Sequence, residues 1–359
     1  MNKTFIIAEA GVNHNGSRLL AQELIDAAVS AGADAVKFQT FQTKNCISTH
    51  APKAEYQKQA APEQESQYEM VKKLELSEED HIFLIKYCQK QNIQFLSTAF
   101  DLQSIDLLTK FNLPLMKIAS GEITNAPLLL KMARTHKPII LSTGMATLGD
   151  IESALGILAF GYLDSDTIKP SIINFMSVYC SEEGQQVLRD NITLLHCTTE
   201  YPAPFSEVNL KALSTLRSAF NLPVGYSDHT TGITIPIAAV ACGATVIEKH
   251  FTIDRNLPGP DHQASLEPHE LTAMINAIRQ VELSIGNGHK IPGPSEFKNR
   301  VIARKSLVAL CAISKGEFFT EANMGIKRPG SGISGIHYWD WLGKSSQQNY
   351  IEDELITEV

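Results

Sequence analysis

The sequence of 359 residues lacks the features that mark several classes of protein. No apolar stretch approaches the roughly 20 residues that a membrane span requires, and the apolar run near the N-terminus is too short for a signal peptide. The six cysteines show no C-x-x-C spacing, which predicts neither a disulfide framework nor a thiolate zinc site. We therefore expect a cytoplasmic protein that does not bind membranes.

Positive charge is also scarce. Lysine and arginine number 31 against 39 aspartates and glutamates, which gives a net charge of −8. A nucleic-acid-binding surface normally carries an excess of basic residues, so this balance argues against nucleic acid as a partner. Apolar residues, by contrast, make up 43% of the chain, which is enough for a sizeable core. Because a β/α barrel takes about 250 residues, we expect one large domain and a small one.

Eight short apolar runs alternate with helix-length segments over most of the chain. This alternation predicts parallel strands joined by helices, and eight is the number of strands that closes a (β/α)8 TIM barrel. The predicted strands are residues 5–8, a run beginning at 35–36, 93–96, 115–119, 138–141, 192–195, 223–226 and 245–247. The prediction places the barrel in residues 1–285, a linker with several glycines and prolines in 286–300, and a small β-rich domain in 301–359.

Local signals predict where particular helices and loops lie. Ser17 is expected to cap the first helix, and Ser77 with Asp80 forms a capping-box pattern at the start of another. The polar residues 43–69 are predicted to be a functional loop or lid, since so long a stretch between barrel elements is unusual. Residues 162–190 are predicted to be a polar connecting segment.

Two of the predicted strands, residues 223–226 and 245–247, are each followed by a polar run that contains a histidine. The first run supplies His229 and the second supplies His250. In a parallel α/β fold the ligand site lies at the carboxyl ends of the strands, so the two imidazoles should lie side by side. Such a pair can ligate a divalent metal. The alternative is that either histidine is only hydrogen-bonded.

Further polar residues follow the other strands at the same end of the predicted barrel. They are Glu9, Lys37, Gln39, Thr98, Lys117, Ser120, Glu122, Ser142, Thr199, Ser227 and Glu248. Two lysines with several hydroxyls are typical of an anion site, because lysine supplies charge and hydroxyls donate hydrogen bonds to phosphate oxygens. A carboxylate such as Glu9 can move protons or orient water. Each residue of this set, taken singly, also has a structural explanation. A lysine can be the partner of a core carboxylate, and a serine can be a turn residue.

These residues belong to motifs that run in order along nearly the whole chain. The motifs are residues 8–16 (AEAGVNHNG), 36–40 (VKFQT), 96–98 (LST), 117–122 (KIASGE), 141–145 (LSTGM), 196–202 (HCTTEYP), 226–230 (YSDHT), 248–251 (EKHF), 258–261 (PGPD) and 327–330 (KRPG). Together they resemble the bacterial sialic acid synthases, which condense phosphoenolpyruvate with an N-acylmannosamine to make a nonulosonic acid. The tail, residues 301–359, resembles the antifreeze-like (SAF) domain of that family.

The resemblance implies a role for each residue of the site. Phosphoenolpyruvate would be held by Lys37, Gln39, Thr98, Lys117, Ser120, Ser142, Thr199 and Ser227. A divalent metal, manganese with magnesium or cobalt as alternatives, would be carried by His229 and His250, which would thereby take part in catalysis. Glu9 and Glu122 would be the catalytic or water-orienting acids. Tyr201 and Asp261 would face the sugar.

The resemblance also implies a partner and reveals two departures from the family. Family members form dimers in which the small domain of one chain caps the barrel of the other, so we expect a domain-swapped homodimer. On that pattern Arg328 would contact the N-acyl group of the acceptor in the partner's site. Thr199 stands where some members have an asparagine as a phosphate ligand. Residues 164–190 form a longer segment than the family usually has at this place.

The implied reaction joins phosphoenolpyruvate, N-acetylmannosamine and water to give N-acetylneuraminate, with phosphate released by C–O cleavage. The bound metal would polarise the aldehyde of the acceptor. The same chemistry on a 2,4-diacetamido-2,4,6-trideoxyhexose would give legionaminic or pseudaminic acid. Three further alternatives are an octulosonate- or heptulosonate-phosphate synthase, a Schiff-base aldolase that uses Lys37 or Lys117, and a barrel that binds acylated sugars without catalysis.

Overall fold

The computed structural model describes residues 3–52, 66–163 and 168–358 of the chain. These residues form two compact units, and the boundary between the units falls between Gly286 and Asn287. The first unit contains a closed barrel and the second a two-stranded sheet. Within the described ranges, no helix is long and apolar enough to cross a membrane.

The eight strands of the first unit close into a parallel barrel, which confirms the predicted (β/α)8 fold. Each strand pairs with the next along the chain, and the eighth pairs with the first. The strands are β1 (Phe5–Gly11), β2 (Ala35–Thr40), β3 (Gln94–Ala99), β4 (Met116–Ile118), β5 (Ile139–Ser142), β6 (Ile192–Cys197), β7 (Val224–Asp228) and β8 (Val246–His250). All of them lie on or beside the runs that the sequence predicts.

Helices connect the strands. They are α1 (Arg18–Ala31), α2 (Thr43–Cys46), α3 (Gln67–Lys72), α4 (Glu78–Gln91), α5 (Leu102–Lys110), α6 (Ala126–Ala133), α7 (Leu148–Leu163), α8 (Ile172–Tyr179), α9 (Glu182–Asn191), α10 (Ala212–Phe220), α11 (Thr234–Ala241) and α12 (Pro268–Ile285). The predicted caps are confirmed. The Ser17 side chain accepts a hydrogen bond from the amide of Leu20 at the start of α1, and Ser77 forms a capping box with Asp80 at the start of α4.

Residues 162–190 differ from the prediction, because they contain the helices α8 and α9; residues 164–167 lie outside the described ones. Helix α8 buries none of its residues, and Ile172 and Ile173 are each 80% exposed. Phe175, Val178 and Tyr179 pack partly buried against the barrel core, so apolar residues lie on both the packed and the exposed face of α8, which obscures the one-sided pattern by which an amphipathic helix is found. The available signal is the serine before each helix, since Ser171 and Ser181 both cap the first turn through their side chains.

The interior of the barrel is layered, with apolar side chains below polar ones. Ile7, Ala35, Leu96, Ile140, Leu195 and Val246 form a buried apolar cluster against which Leu115 also packs. Side chains two residues apart on a strand point the same way. Each of these strands carries the next side chain of the same face two residues later. These side chains are Glu9, Lys37, Thr98, Lys117, Ser142, Cys197 and Glu248. The apolar layer closes the barrel from below, and the polar layer therefore lies at its carboxyl end.

The second unit is small and has its own core. Helix α13 (Pro294–Ala303) overlaps the residues 286–300 that the sequence suggests as a linker. Strands β9 (Ser306–Ala309) and β10 (Met324–Lys327) pair in antiparallel fashion, and a short helix α14 (Tyr338–Trp341) follows. The apolar core cluster of this unit consists of Leu307, Ala309, Ile313, Phe319, Met324, Tyr350 and Ile356.

We predict that Gly225→Ala destabilises the barrel. Gly225 lies in β7, where an added Cβ would be 2.5 Å from the carbonyl oxygen of Val246 and 2.6 Å from Cδ2 of Leu195. Relieving such overlap in a packed interior costs about 1–3 kcal/mol, so the denaturant midpoint should fall. The matched control is Gly149→Ala in α7, where the nearest atom to an added Cβ is 3.8 Å away. An unchanged midpoint for Gly225→Ala would contradict the described packing.

Candidate active site

A cavity of about 370 Å³ opens at the carboxyl ends of the barrel strands. This volume is typical of a small-molecule site. The cavity brings together every predicted site residue of the first unit, namely Glu9, Lys37, Gln39, Thr98, Lys117, Ser120, Glu122, Ser142, Thr199, Tyr201, Ser227, His229, His250 and Asp261. Arg328 belongs to the second unit, where its Nε donates to the carbonyl of Ala303, and its role stays a prediction.

Two buried lysines and two buried glutamates form what we call the charged floor of the cavity: Glu9, Lys37, Lys117 and Glu248. The Nζ of Lys37 is 2.8 Å from Oε2 of Glu9 and 3.5 Å from Oε2 of Glu248. The Nζ of Lys117 is 3.7 Å from Oε1 of the same Glu248. One carboxylate thus serves both ammonium groups. The sequence places Glu248 at a strand end, but nothing in the sequence assigns it this bridging position.

Burial and ion pairing shift the pKa values of the charged floor in opposite directions. Burial alone would lower the pKa of Lys37, but the carboxylates of Glu248 and Glu9 outweigh it and raise that pKa. Burial lowers the pKa of Lys117 in spite of Glu248. Burial raises the pKa of Glu9 to about 7 although Lys37 opposes the shift, whereas Lys117 and Lys37 overcome burial and hold the pKa of Glu248 low. Glu9 is therefore the carboxyl group of the floor that can exchange a proton near neutral pH.

Hydroxyl groups surround the two lysines. Lys37 donates to Oγ1 of Thr98 at 2.9 Å, and Lys117 donates to Oγ of Ser142 at 2.7 Å. The hydroxyl of Ser227 donates to Glu248 at 2.9 Å and so orients the shared carboxylate. Both ammonium groups lie at the base of the cavity, where an anion would meet their positive charge.

A second group of hydroxyls lies where Gly144 approaches closely. The amide of Gly144 donates to Oγ of Ser120 at 2.9 Å. A Cβ on Gly144 would lie 2.2 Å from Oγ1 of Thr199, so only glycine leaves room for this pair of hydroxyls. Oγ1 of Thr199 is buried and has no hydrogen-bond partner among the described atoms. A buried hydroxyl without a partner is costly, which favours an oxygen-rich ligand at this place.

The two histidines lie side by side as predicted, with ring centroids 5.6 Å apart. Nδ1 of His229 donates to the carbonyl of Thr198 at 2.6 Å, so its Nε2 carries the free lone pair. Nδ1 of His250 is buried without a hydrogen-bond partner among the described residues. Burial lowers the pKa of both imidazoles, and both are therefore neutral at neutral pH, the form that binds metals.

The histidine pair fits a divalent metal as two of its ligands. The fit rests on the fixed tautomer of His229 and on Nδ1 of His250, which is buried and has no hydrogen-bond partner among the described atoms. Within the described part of the chain, no group of three or more His, Cys, Asp or Glu side chains is arranged to hold a metal ion.

The predicted sugar-facing residues lie beside the histidines. The ring of Tyr201 is 4.2 Å from the ring of His229, measured between centroids. Oδ2 of Asp261 is 3.8 Å from Nδ1 of His250, and burial raises the pKa of Asp261 to about 6. Glu122 is half-buried and accepts a hydrogen bond from Asn125 at 2.7 Å, and burial raises its pKa.

Residues of the loop after β1 hold the loop that carries Asp261. Nδ2 of Asn13 donates to the carbonyl of Phe251 at 2.8 Å and to Oγ of Ser265 at 2.9 Å. Ser265 in turn donates to the carbonyl of Asp261 at 2.6 Å. Sequence reasoning missed Asn13 as a positioning residue, although it lies inside one of the quoted motifs. These contacts fix the position of Asp261 across the β1–β8 seam.

The predicted loop of residues 43–69 is described only at its two ends. Helix α2 begins it and helix α3 ends it, while residues 53–65 lie outside the described residues. Its role as a lid stays a prediction. From helix α3 and the turn that follows it, Met70, Val71 and Leu74 line the cavity. Sequence reasoning missed these apolar residues as part of the site.

Comparison with known proteins places this chain among sugar-acid synthases. The NeuB family matches residues 24–290. The N,N'-diacetyllegionaminic acid synthase of Campylobacter jejuni subsp. jejuni serotype O:2 is 55% identical over 358 residues, and the match covers 100% of both chains. The synthase of the same name from Legionella pneumophila is 47% identical and covers 96% of this chain and 91% of its own.

A solved structure agrees with this placement. The N-acetylneuraminic acid (sialic acid) synthetase from Leptospira borgpetersenii serovar Hardjo-bovis superposes with a TM-score of 0.67 at 34% sequence identity. The superposition covers 83% of this chain and 90% of that one.

The histidine-bearing strands are joined by a fully buried ion pair outside the charged floor. Nζ of Lys249 in β8 is 2.6 Å from Oδ2 of Asp228 in β7, and neither side chain is exposed. Asp228 also accepts hydrogen bonds from the hydroxyls of Tyr226 and Thr230. Since Asp228 precedes His229 and Lys249 precedes His250, the pair fixes the register at which both imidazoles leave the sheet.

We predict that Lys249→Met lowers the free energy of unfolding by about 3–5 kcal/mol, because it leaves the carboxylate of Asp228 buried without its counter-charge. Denaturant unfolding measures this loss. The double variant with Asp228→Asn should be more stable than Lys249→Met alone, since the uncompensated charge is then removed. Lys110→Met, which removes an exposed pair with Glu78, is the control and should change little. Equal effects of Lys249→Met and Lys110→Met would contradict the buried pair.

Proposed function

The chain belongs to the NeuB family, and on that premise we propose that it is a nonulosonic acid synthase that condenses phosphoenolpyruvate with a 2,4-diacetamido-2,4,6-trideoxyhexose. The product would be a legionaminic acid. The observation that carries the proposal is that two buried lysines, a group of hydroxyls and two neutral histidines line one cavity. The relatives named N,N'-diacetyllegionaminic acid synthase, at 55% and 47% identity, favour this acceptor over N-acetylmannosamine.

The lysines and hydroxyls would hold phosphoenolpyruvate. Lys37 and Lys117 present ammonium protons to its carboxylate and phosphate. Ser120, Thr199 and Ser142 supply hydroxyls on the β4–β6 side, and the buried Oγ1 of Thr199 would gain the partner that it lacks. Thr98, Gln39 and Ser227 complete the proposed set. Binding of this anion would favour the charged form of Lys117, whose pKa burial lowers.

His229 and His250 would hold a divalent metal, for which we propose manganese, with magnesium or cobalt as alternatives. When bound there, such an ion supplies Lewis acidity toward a carbonyl oxygen. The histidines lie beside Asp261 and Tyr201, which would orient the acceptor so that its aldehyde carbon faces the donor. Holding both reactants about 3–3.5 Å apart supplies much of the catalysis, because the reaction is then effectively intramolecular.

In the proposed reaction, C3 of phosphoenolpyruvate forms a bond to the aldehyde carbon of the acceptor. The aldehyde oxygen takes a proton, and the hydroxyl of a water molecule adds to C2 of the donor. The C2–O bond to phosphate then breaks, phosphate leaves with the bridging oxygen and a proton, and a 2-keto acid remains. Glu9 would handle the proton that water loses, since its pKa of about 7 lets it exchange one, and Glu122 would orient the water.

The remaining acceptor is N-acetylmannosamine, which would give N-acetylneuraminate. The sialic acid synthetase of Leptospira borgpetersenii, at 34% identity, supports the shared chemistry. It does not outweigh the two more similar relatives in the choice of acceptor. The domain-swapped dimer and the contact of Arg328 with the partner's acceptor stay part of the proposal.

We predict that the purified protein releases phosphate from phosphoenolpyruvate only when an acceptor sugar is present. The rate with 2,4-diacetamido-2,4,6-trideoxymannose should exceed the rate with N-acetylmannosamine. A chelator should stop the release, manganese should restore it, and His229→Ala should abolish it. Continuous phosphate assay with each sugar, and with none, makes the measurement. No phosphate with either sugar, or equal release without sugar, would rule out the proposed synthase.

We also predict that Lys117→Gln weakens phosphoenolpyruvate binding by about 10- to 100-fold, because a charge-assisted hydrogen bond to an anion is worth about 1.5–3 kcal/mol. Calorimetric titration of phosphoenolpyruvate into the manganese-loaded protein measures the Kd. Lys86→Gln on the exposed face of α4 is the matched control and should leave the Kd unchanged. A Kd for Lys117→Gln that equals the wild-type value would remove Lys117 from the donor site.

A further inference from the structure

The cavity has two chemically different sides. The side formed by the ends of β4–β7 carries the hydroxyls of Ser120, Ser142, Thr199 and Ser227. On β1–β3 themselves the polar side chains Glu9, Lys37, Gln39 and Thr98 line the cavity. Beyond the ends of these strands, and from helix α3 and the turn after it, come six apolar side chains that we call the apolar wall: Val12, Phe41, Met70, Val71, Leu74 and Phe100. We propose that the apolar wall selects acceptors whose far end carries methyl groups, as a 6-deoxy, 4-acylamino sugar does, over acceptors that carry hydroxyls there.

The apolar wall is a packed structure of its own. Val12, Phe41 and Leu74 are buried, and Val71 and Phe100 pack against them in a cluster separate from the barrel core. The rings of Phe41 and Phe100 meet edge to face with centroids 6.3 Å apart. The wall is thus held in place by its own contacts, as a surface that discriminates by shape and polarity has to be.

The position of the wall follows from the strands that carry it. Gly11 at the end of β1 lies against the site, because a Cβ placed there would be 3.4 Å from Cε1 of His250 and 3.5 Å from both Asp261 and Gln39. Val12 is the next residue after Gly11, and Phe41 follows Gln39 by two residues. Along the chain, the wall therefore adjoins a residue that lies against His250.

This placement assigns the two sides to the two reactants. This inference rests on the proposed function, in which the histidines fix the aldehyde end of the acceptor, and the charged floor, Gln39, Thr98 and the hydroxyl side hold phosphoenolpyruvate. The far end of the acceptor is then left to face the apolar wall, which lies beyond the ends of β1–β3. The six wall side chains carry no oxygen or nitrogen, so a hydroxyl placed against them loses its hydrogen bonds to water without replacement. A methyl group placed there is buried favourably.

The selectivity of other apolar pockets indicates how large the preference for the 6-deoxy sugar can be. Such a pocket rejects an isostere that merely adds a hydroxyl by about 100-fold. We therefore expect kcat/KM for 2,4-diacetamido-2,4,6-trideoxymannose to exceed that for N-acetylmannosamine by a factor of this order.

The experiment introduces a hydroxyl into the wall at nearly constant volume. Val71→Thr and, separately, Val12→Thr should each lower the ratio of kcat/KM between the two sugars, by about 10-fold for the variant whose hydroxyl faces the sugar. The change should lie in the KM of the sugar, with the KM of phosphoenolpyruvate unchanged. The melting temperature should stay unchanged for Val71→Thr, at a half-buried position, and fall for Val12→Thr, which introduces a hydroxyl at a buried position. Val281→Thr is the matched control for Val71→Thr, because Val281 is likewise a half-buried helical valine but lies in α12, away from the cavity.

The outcomes separate the wall from the reaction itself. A lowered ratio in either wall variant, with no change in Val281→Thr, supports the proposal. Wild-type turnover with an unchanged ratio in both wall variants overturns the role of the wall and leaves the synthase standing. An absence of sugar-dependent phosphate release by the wild type overturns the synthase, and the role of the wall with it.

Discussion

The site depends on keeping lysine side chains charged where water does not reach them. Burial favours the neutral form of a lysine, and in this barrel a single carboxylate, that of Glu248, faces both Lys37 and Lys117. Ser227 orients that carboxylate. The balance is closest for Lys117, because burial lowers its pKa even beside Glu248. An anionic substrate would supply further negative charge to Lys117, so the charged floor would favour binding of an anion.

This arrangement is inseparable from the barrel that carries it. The apolar layer below and the polar layer above stand on the same strands, two residues apart, so the register of the strands that makes the core also sets the charged floor. The buried pair of Asp228 and Lys249 ties β7 to β8 where the two histidines leave them. The proposed specificity for the acceptor sugar does not come from the strands, since the residues of the apolar wall lie beyond the strand ends. Such a division lets loops change the acceptor while the strands keep the chemistry.

Much of this could be predicted from the sequence, and particular residues show why. The strands were found because each is a short apolar run, and Lys37, Lys117, His229 and His250 were assigned to one site because parallel strands end on one side of a barrel. Helices α8 and α9 were missed because the apolar residues of α8 lie on both its packed and its exposed face, and because α9 buries just Gly184 and Leu188. Met70, Val71 and Leu74 were missed because apolar residues in a polar stretch do not by themselves reveal which cavity they line.

The sequence by itself determined the order of strands and helices, the polar residue at each strand end, and hence which chemical groups meet in the site. These features follow from the spacing of apolar and polar residues along the chain, which can be read from neighbouring residues alone. Only the tertiary structure decided that Glu248, and not Glu9, is shared by both lysines, that Glu9 keeps a pKa near neutrality, and that one side of the cavity is apolar. Those properties depend on distances of a few ångströms between residues far apart in the chain, and on how completely folding removes water around them.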